Sequence, residues 1–514
     1  MKQRSFLRGA VILAIGGVFA KVLGAVYRIP LTNLLGSRGI GLYQLVFPMY
    51  TLLLTVSGAG VPVAISKLIA RDLQCGNRSA AKRTFFSALG CLTVLGGIGS
   101  AALFFAAEPL ARLQGNLQAA ACYRILSPSV LLVAVLAAFR GYFQGGLNMA
   151  PTAASQVTEQ LVKTVLGLVL AYSANDAVTG AKRAVFAVTA SEVVAVLFVA
   201  VWYAWETFRS PRVKPAPEKR GTVREILLLA VPVTLGSLLL PFTQLVDSVL
   251  VMRLLPGDAT QLYGLWSGPV HSLLNMPVVL TLGIATAVLP SVTGCYVAGD
   301  EIGLHEKCNL AFRLTTVLGL PCSVGLAVLA KPVVCLLYGG LTAAEQNLSA
   351  ELLQIAAAGV LFLSLAQTST AILQGTGRLY RPVAFLGIAA LCKTVCNVLL
   401  LPKAGVYGAA ISSVVCYFVA GFADFLYIIV KYRFPADFDR IWLKPLTASA
   451  FMAVCVLCFC TFFRGFAQSA AGTLFALLLG VVSYGTAVLA MKVFSARELS
   501  ELLPSRRKKE KEYT

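Results

Sequence analysis

Residues 7–27 read LRGAVILAIGGVFAKVLGAVY, a predominantly apolar stretch of the length that crosses a lipid bilayer. The stretch has no small-residue cleavage pattern and leads directly into a second one, so it predicts a transmembrane helix and not a cleaved signal peptide. The whole chain has this character, because 58% of its 514 residues are hydrophobic and 13% are charged. Soluble proteins carry about 45–50% apolar and about 25% charged residues. The composition therefore predicts a polytopic membrane protein.

The apolar stretches are continuous and each has roughly the 20 residues that a spanning helix needs, which predicts an all-α fold and excludes a β-barrel of alternating segments. About fourteen transmembrane helices are expected. The predicted spans are 7–27, 40–65, 84–107, 118–139, 152–173, 184–207, 224–252, 265–291, 310–330, 350–373, 382–401, 405–430, 444–463 and 470–492.

The basic residues predict the orientation of these spans. With a cytoplasmic N-terminus, thirty of the 43 Lys and Arg residues fall in cytoplasmic segments and nine in outer segments. This is the bias of the positive-inside rule, so we predict that both termini are cytoplasmic. The net charge of +21 would suggest nucleic acid in a soluble protein, but here it belongs to these loops. No nucleic-acid partner is expected.

A spacing pattern suggests that the chain is duplicated. Gln144-Gly145 precedes Lys163-Thr164-Val165, and both elements recur with the same spacing at Gln374-Gly375 and Lys393-Thr394-Val395. The offset joins each span to the span six places later, so the two repeats have the same orientation in the membrane. We predict two pseudo-symmetric six-helix lobes, related as parallel repeats, followed by two further C-terminal helices.

A proline-rich basic segment, RSPRVKPAPEKRG at 209–221, separates the two predicted lobes. Its composition is typical of an extended linker. The predicted organisation is an N-terminal lobe at 1–208, a cytoplasmic linker at 209–222, a C-terminal lobe at 223–433, two helices within 434–495 and a basic cytoplasmic tail at 496–514. Two lobes of this kind predict alternating access, with the substrate bound between them.

Charged residues inside spans are the best candidates for a functional site, because burying charge in hydrocarbon is costly. The basic candidates for binding an anionic headgroup are Lys21, Arg28, Arg124, Lys163 and Lys393. Lys21 and Arg28 are seven positions apart and share a helix face, so they predict a cationic strip along a central cavity. The alternative is that Arg28 only anchors its helix at the membrane surface. Arg124 either binds an anion or lies near the outer surface.

Lys163 and Lys393 occupy matching positions of the two repeats, and we predict that both face the interface between the lobes. The acidic candidates are Glu159, Glu192 and Asp247, as cation ligands or ion-pair partners. Glu159 and Lys163 have the i, i+4 spacing of an internal ion pair. Asp247 is expected to bind a cation or to pair with a lysine of the other lobe.

Catalytic and nucleotide-binding motifs are missing from the sequence. It has no G-x-x-x-x-G-K-[ST] motif, no Rossmann fingerprint, and two histidines far apart, His271 and His305. We predict a transporter and not an enzyme, without a metal or another cofactor. The energy would come from an ion gradient, the membrane potential or the substrate gradient.

The N-terminal block carries a family resemblance. It reads Phe6-Leu-Arg-Gly-Ala, then Lys21-Val-Leu-Gly-Ala-Val-Tyr-Arg28-Ile-Pro-Leu-Thr-Asn-Leu-Leu-Gly36, then Gly39-Ile-Gly-Leu-Tyr-Gln44. This block resembles the polysaccharide-exporter branch of the MOP superfamily, and within it the stage V sporulation protein B and MurJ-type lipid II flippases. The resemblance implies a flippase of undecaprenyl-diphosphate-linked saccharides in a bacterial plasma membrane. Lipid II, for peptidoglycan or spore cortex, is its leading substrate.

The resemblance also assigns roles to residues. It implies that Lys21 and Arg28 line a cationic cavity for the diphosphate, and that spans 13 and 14 form a groove for the lipid tail. Some members bind a monovalent cation with acids of spans 7 and 11. Asp247 fits the first of these acids, but span 11 offers Lys393 and Asn397, which argues against a bound cation. The implied partners are the lipid-linked saccharide, membrane lipids and proteins of cell-wall synthesis.

Three other functions fit parts of the sequence. An ion-coupled multidrug antiporter of the MATE type would have the same fold, but it would need acidic groups for cationic drugs. An exporter of another lipid-linked polysaccharide unit would have the same cavity. A membrane scaffold for wall assembly would need none of the cavity charges.

Overall fold

The computed structural model describes residues 2–58, 60–209, 223–433, 435, 437–467 and 469–494. All regular secondary structure within these residues is helical. The predicted linker, apart from Arg209, and the predicted basic tail lie outside the described residues. The predicted division into lobes therefore stays a prediction.

The helices follow one another closely along the chain. The first eight, which we call the N-terminal bundle, are α1 (Lys2–Leu45), α2 (Phe47–Gly58), α3 (Val61–Gln74), α4 (Arg78–Phe105), α5 (Ala107–Leu113), α6 (Ala119–Gly145), α7 (Ala150–Tyr172) and α8 (Ala177–Arg209). The next nine, the C-terminal bundle, are α9 (Val223–Leu254), α10 (Ala259–Leu265), α11 (His271–Ala298), α12 (Glu301–Val328), α13 (Ala330–Leu337), α14 (Ala343–Ala356), α15 (Ala358–Gly375), α16 (Tyr380–Ala404) and α17 (Val406–Tyr432). The chain ends in α18 (Lys444–Phe462), α19 (Arg464–Ala467) and α20 (Ala470–Ala490). Two π-helical turns, Trp266–Val270 and Asp439–Leu443, lead into α11 and α18.

Within the described residues, eleven helical segments are long and apolar enough to cross a membrane, and α14 with α15, bent by 45°, is a twelfth candidate. Helices overlap every predicted span, but the count of fourteen is not confirmed. The first two predicted spans belong to one continuous apolar segment, Ile15–Val56. The helix α7 is not among the candidates, because polar residues at positions 156, 159, 160 and 163 interrupt its apolar sequence.

The Gln-Gly pairs found in the sequence both end a helix. Gly145 is the last residue of α6 and Gly375 is the last residue of α15, and the next helices begin at Ala150 and Tyr380. A Cβ atom at Gly145 would lie 2.8 Å from the Ile69 Cβ, and one at Gly375 would lie 3.0 Å from the Leu289 carbonyl oxygen. Both glycines therefore permit close helix contacts at matching places of the two halves.

A sharp elbow joins the two parts of α1. Gly36 has a φ of 65° and interrupts the helix, so residues 37–45 run in a new direction. This segment packs directly on α10, where a Cβ atom at Gly264 would overlap the carbonyl oxygen of Ser37. The elbow thus brings the first helix of the chain against the C-terminal bundle.

Hydrogen bonds close the two bundles together at the elbow. Asn116 Nδ2 donates to Thr260 Oγ1 at 2.8 Å, and Gln114 Nε2 donates to Ser248 Oγ at 3.2 Å. Glu345 accepts from Ser37 of the elbow and, at 2.9 Å, from Gln261 Nε2. In the predicted topology this is the outer side. These contacts join the bundles on that side, and the α1 residues that line the cavity described below precede the elbow, except for Tyr43.

We expect Gly264→Ala to lower the melting temperature of the purified protein by several degrees. The added methyl group has no space beside Ser37, and overpacking of this kind typically costs about 1–3 kcal/mol. Gly283→Ala in α11 is the matched control, since nothing lies within 4 Å of the added Cβ atom. An equal loss of melting temperature in both variants would contradict the close packing at the elbow.

Candidate substrate-binding cavity

A cavity of about 540 Å³ lies between the two bundles. From the N-terminal bundle, α1, α2, α6 and α7 contribute to its wall, and from the C-terminal bundle α11 and α15 contribute. All charged residues of the lining belong to the N-terminal bundle. The C-terminal bundle adds neutral side chains, among them Ser272, Asn275 and Gln367. The two halves of the wall therefore differ in charge.

The cavity has an excess of positive charge. Its lining contains four basic residues and one acidic residue: Lys21, Arg28, Arg140, Lys163 and Glu159. Arg140 Nη2 lies 2.9 Å from Glu159 Oε2, and both side chains are mostly buried. Across the described part of the chain, Lys21, Arg28 and Lys163 form no ion pair with a carboxylate. Three cations without a carboxylate partner in one cavity have the chemistry that anion binding requires.

The helical periodicity of α7 and α1 directs their polar and charged side chains into the cavity. Four polar residues of α7 lie on one helix face at i, i+3, i+4 and i+7 spacing: Gln156, Glu159, Gln160 and Lys163. Small residues of α1 allow this face to approach, because a Cβ atom at Gly24 would lie 3.1 Å from Gln160 Oε1. Lys21 and Arg28 are on the same part of α1, so cations of two helices meet in the cavity.

A chain of hydrogen bonds orients polar groups of the lining. Gln160 Nε2 donates to Glu159 Oε1 at 3.2 Å, while the other oxygen of Glu159 is held by Arg140. The Oε1 atoms of Gln156, Gln160 and Gln367 are buried and have no hydrogen-bond partner among the described residues. Carbonyl oxygens of this kind accept hydrogen bonds from hydroxyl or amide donors of a ligand. The cavity thus combines cations with hydrogen-bond acceptors for a polar ligand.

The structure brings together four of the residues that the sequence singled out: Lys21, Arg28, Lys163 and Glu159. The predicted ion pair of Glu159 with Lys163 is wrong, because Glu159 pairs with Arg140. Sequence reasoning missed Arg140, which it assigned to a loop after residue 139. The helix α6 continues to Gly145, and the glycine at its end was the signal that this helix extends past Arg140.

Two predicted binding residues lie elsewhere. Arg124 does not line the cavity; its side chain is half exposed and lies 3.7 Å from Glu108, which also pairs with Arg112. Lys393 is buried in the C-terminal bundle, where its Nζ lies 3.0 Å from Asp247 Oδ2. The prediction that Lys393 matches Lys163 as a cavity residue is therefore wrong. In the matching region of α1 residues 17–19 are Gly-Val-Phe, so Lys163 has no equivalent of Asp247.

The remaining candidates are buried beside these groups. Asn397 Nδ2 donates to Asp247 Oδ1 at 2.6 Å, so Asp247 pairs with two residues of α16, Lys393 and Asn397. Both partners belong to the same bundle as Asp247, so the predicted pairing with a lysine of the other lobe is wrong. Glu192 of α8 is buried, and its Oε2 atom has no hydrogen-bond partner among the described residues. Of the described residues, no group of three or more His, Cys, Asp or Glu side chains is placed to hold a metal ion.

A second, apolar groove of about 610 Å³ adjoins the cationic cavity. Its wall comes from α1, α11, α12, α13, α18 and α20, so it includes both long helices of the C-terminal pair. Ala25 and Val279 line the groove and also the cavity. The cationic cavity and the apolar groove are therefore continuous in this protein.

Comparison with known proteins identifies the family. Residues 6–293, more than half of the chain, match the profile of the polysaccharide biosynthesis protein family. The chain belongs to this family. Residues 232–399 also match the MatE profile. This family member is thus a transporter of the MOP superfamily and not an enzyme, as the sequence predicted.

Curated relatives cover most of this family member. It is 30% identical to the uncharacterized membrane protein YabM of Bacillus subtilis (strain 168), over 98% of this chain and 96% of the relative. It is 25% identical to the lipid II flippase MurJ of the same organism, over 88% of this chain and 87% of the relative. Stage V sporulation protein B of that organism is 28% identical over 67% of this chain and 69% of the relative.

Solved structures show the same fold. The lipid II flippase MurJ in an inward closed conformation superposes with a TM-score of 0.72 at 15% identity, covering 95% of this chain and 100% of that chain. An inward-facing multidrug resistance MATE transporter of the MOP superfamily gives a TM-score of 0.71 at 18% identity, over 83% of this chain and 98% of that chain. This family member is therefore a multi-pass membrane protein, and its regular secondary structure is helical throughout the described residues, as predicted.

Proposed function

We propose that this transporter flips a lipid-linked saccharide across the bacterial plasma membrane by alternating access, with both termini in the cytoplasm. The first candidate substrate is lipid II. The observation that carries the proposal is the continuity of the cationic cavity with the apolar groove at Ala25 and Val279. A substrate with an anionic headgroup and an isoprenoid chain needs both surfaces at once.

The charges of the cavity fit a diphosphate. Lysine and arginine bind phosphate oxygens through charge-assisted hydrogen bonds, and no chemical step is needed for translocation. An inside-negative potential releases about 2.3 kcal/mol for each negative charge that moves outward across 100 mV. The membrane potential therefore drives an anionic headgroup in the direction of export.

The neutral polar groups of the cavity fit a saccharide. The buried oxygens of Gln156, Gln160 and Gln367 have no partner among the described residues, and sugar hydroxyl groups and N-acetyl amides are donors for them. The relatives named lipid II flippase and stage V sporulation protein B support a role in cell-wall or spore synthesis. Proteins that make or use the lipid-linked precursor would be its partners.

A multidrug antiporter is the second candidate, because the MatE profile and the MATE fold fit this chain. Such a transporter would bind cationic drugs, for which it would need free carboxylates. In the lining of this cavity Glu159 is the acidic residue, and it is held by Arg140. The charge of the cavity therefore favours an anionic substrate.

The experiment is complementation of a bacterium depleted of its own lipid II flippase. We expect growth to be restored when this protein is present in the membrane, and we expect the purified protein to flip lipid II in proteoliposomes. Failure of both assays with membrane-inserted protein would exclude lipid II. Flipping of another undecaprenyl-diphosphate saccharide would then support a different polysaccharide unit, and drug efflux alone would support the antiporter.

A further inference from the structure

A buried polar cluster lies in the C-terminal bundle, outside the cationic cavity. It consists of Asp247 on α9, Lys393 and Asn397 on α16, and Ser412 on α17. Lys393 and Asn397 are one helical turn apart and face Asp247 together. All four residues are buried, so the cluster is shielded from water.

Every group of this cluster has a partner within it. The Lys393 Nζ lies 3.0 Å from Asp247 Oδ2, and Asn397 Nδ2 donates to Asp247 Oδ1 at 2.6 Å. Ser412 Oγ in turn donates to Asn397 Oδ1. The single positive charge balances the single negative charge, and the hydrogen bonds bind three helices together.

The resemblance to flippases implies a monovalent cation beside Asp247, and the residues present do not fit one. A cation needs several oxygen ligands, but each oxygen of Asp247 already faces a donor, Oδ2 the ammonium of Lys393 and Oδ1 the amide of Asn397. A metal ion next to Asp247 would also lie within a few ångströms of the ammonium group, which repels it strongly in a buried environment.

We propose that the Lys393 ammonium is a built-in cation at this position, so that this transporter neither binds nor needs Na⁺ or K⁺ there. A tethered charge cannot dissociate and be replaced during the transport cycle. The gradient of a monovalent metal ion therefore does not drive transport through this site. This inference depends on the cluster alone and goes beyond the proposed function, because it makes no use of the substrate.

Comparison of the two repeats explains why one lysine forms a buried ion pair and the other lines the cavity. Lys163 and Lys393 occupy matching positions of α7 and α16. Lys393 meets Asp247, whereas the region of α1 that matches Asp247 has Gly-Val-Phe at residues 17–19 and offers Lys163 no acid. The two lysines thus have separate uses, one for neutralising Asp247 and one for a ligand.

The test is the melting temperature of the full-length purified protein in NaCl, KCl and choline chloride at equal ionic strength. We expect the same melting temperature of the wild type in all three salts. In Lys393→Ala we expect a lower melting temperature in choline chloride, because Asp247 loses its buried partner. We expect added Na⁺ to raise this melting temperature in a concentration-dependent way, because the ion enters the vacated space. A Na⁺-specific rise in the wild type would overturn the proposal.

The matched control is Lys393→Ala combined with Asp247→Asn. The double variant has the same vacated space but no carboxylate to attract Na⁺, so its melting temperature should be equal in the three salts. A Lys393→Ala protein whose melting temperature ignores Na⁺ would also overturn the proposal. The wild-type comparison stands whether or not the variants fold. Failure to flip lipid II would leave these results unchanged, so the two proposals are tested separately.

Discussion

Replacing Lys21, Arg28 and Lys163 together with alanine is expected to abolish transport while the protein remains folded in the membrane. All three line the cavity without a carboxylate partner among the described residues, so no buried anion is left unpaired when they are removed. A hydrogen bond to a charged group contributes about 1.5–3 kcal/mol, so each single alanine variant should lose roughly 10-fold to 100-fold in transport. Arg28→Lys and Lys21→Arg should retain most of it, because the charge is kept.

The matched control for this prediction is Arg124→Ala. Arg124 also lies in a helix of the N-terminal bundle, but it is half exposed and pairs with Glu108 outside the cavity. The Arg124→Ala variant should transport like the wild type in proteoliposomes, and it should restore growth in the strain depleted of its lipid II flippase. If the triple variant flips the substrate at the wild-type rate, the cationic cavity is not the anion site.

The membrane fold could be predicted because it depends on local sequence. Apolar length decides where a helix lies in the membrane, and helices overlap every predicted span in the described residues. The strip of Lys21 and Arg28 could be predicted for the same reason, because a spacing of seven positions places side chains on one helix face. The position of Arg140 in the cavity needed the true end of α6, which apolar length alone does not define.

The ion pair of Lys393 could not be predicted from the sequence of its own helix. Its repeat position predicted the same role as that of Lys163. A lysine is available to a ligand, however, only when its ammonium group is not already paired with a buried carboxylate. The partner is Asp247, whose other oxygen binds Asn397, 150 residues further along the chain. Such pairing depends on how α9 and α16 are rotated against each other, and that follows from packing of the whole bundle.

Filling the apolar groove is expected to abolish transport without changing the charges of the cavity. Gly480 of α20 is buried in the groove wall, and an added Cβ atom would lie 3.5 Å from Val456 Cγ2 and 3.8 Å from Met452 Cγ, two other residues of the lining. In Gly480→Trp we expect the indole to displace these side chains and to reduce the space that an isoprenoid chain would occupy. Flipping of lipid II in proteoliposomes should fall to background, while the protein inserts and purifies like the wild type.

The same helix offers the matched control, Gly485→Trp. Nothing lies within 4 Å of a Cβ atom at Gly485, and this residue does not line the groove, so transport should be unchanged. A headgroup transporter that leaves the lipid chain in the bilayer would tolerate both substitutions equally. Equal flipping by the two variants would therefore exclude the groove as the place of the chain. Loss of lipid II flipping in Gly480→Trp alone would support the groove as the place where the isoprenoid chain lies during transport.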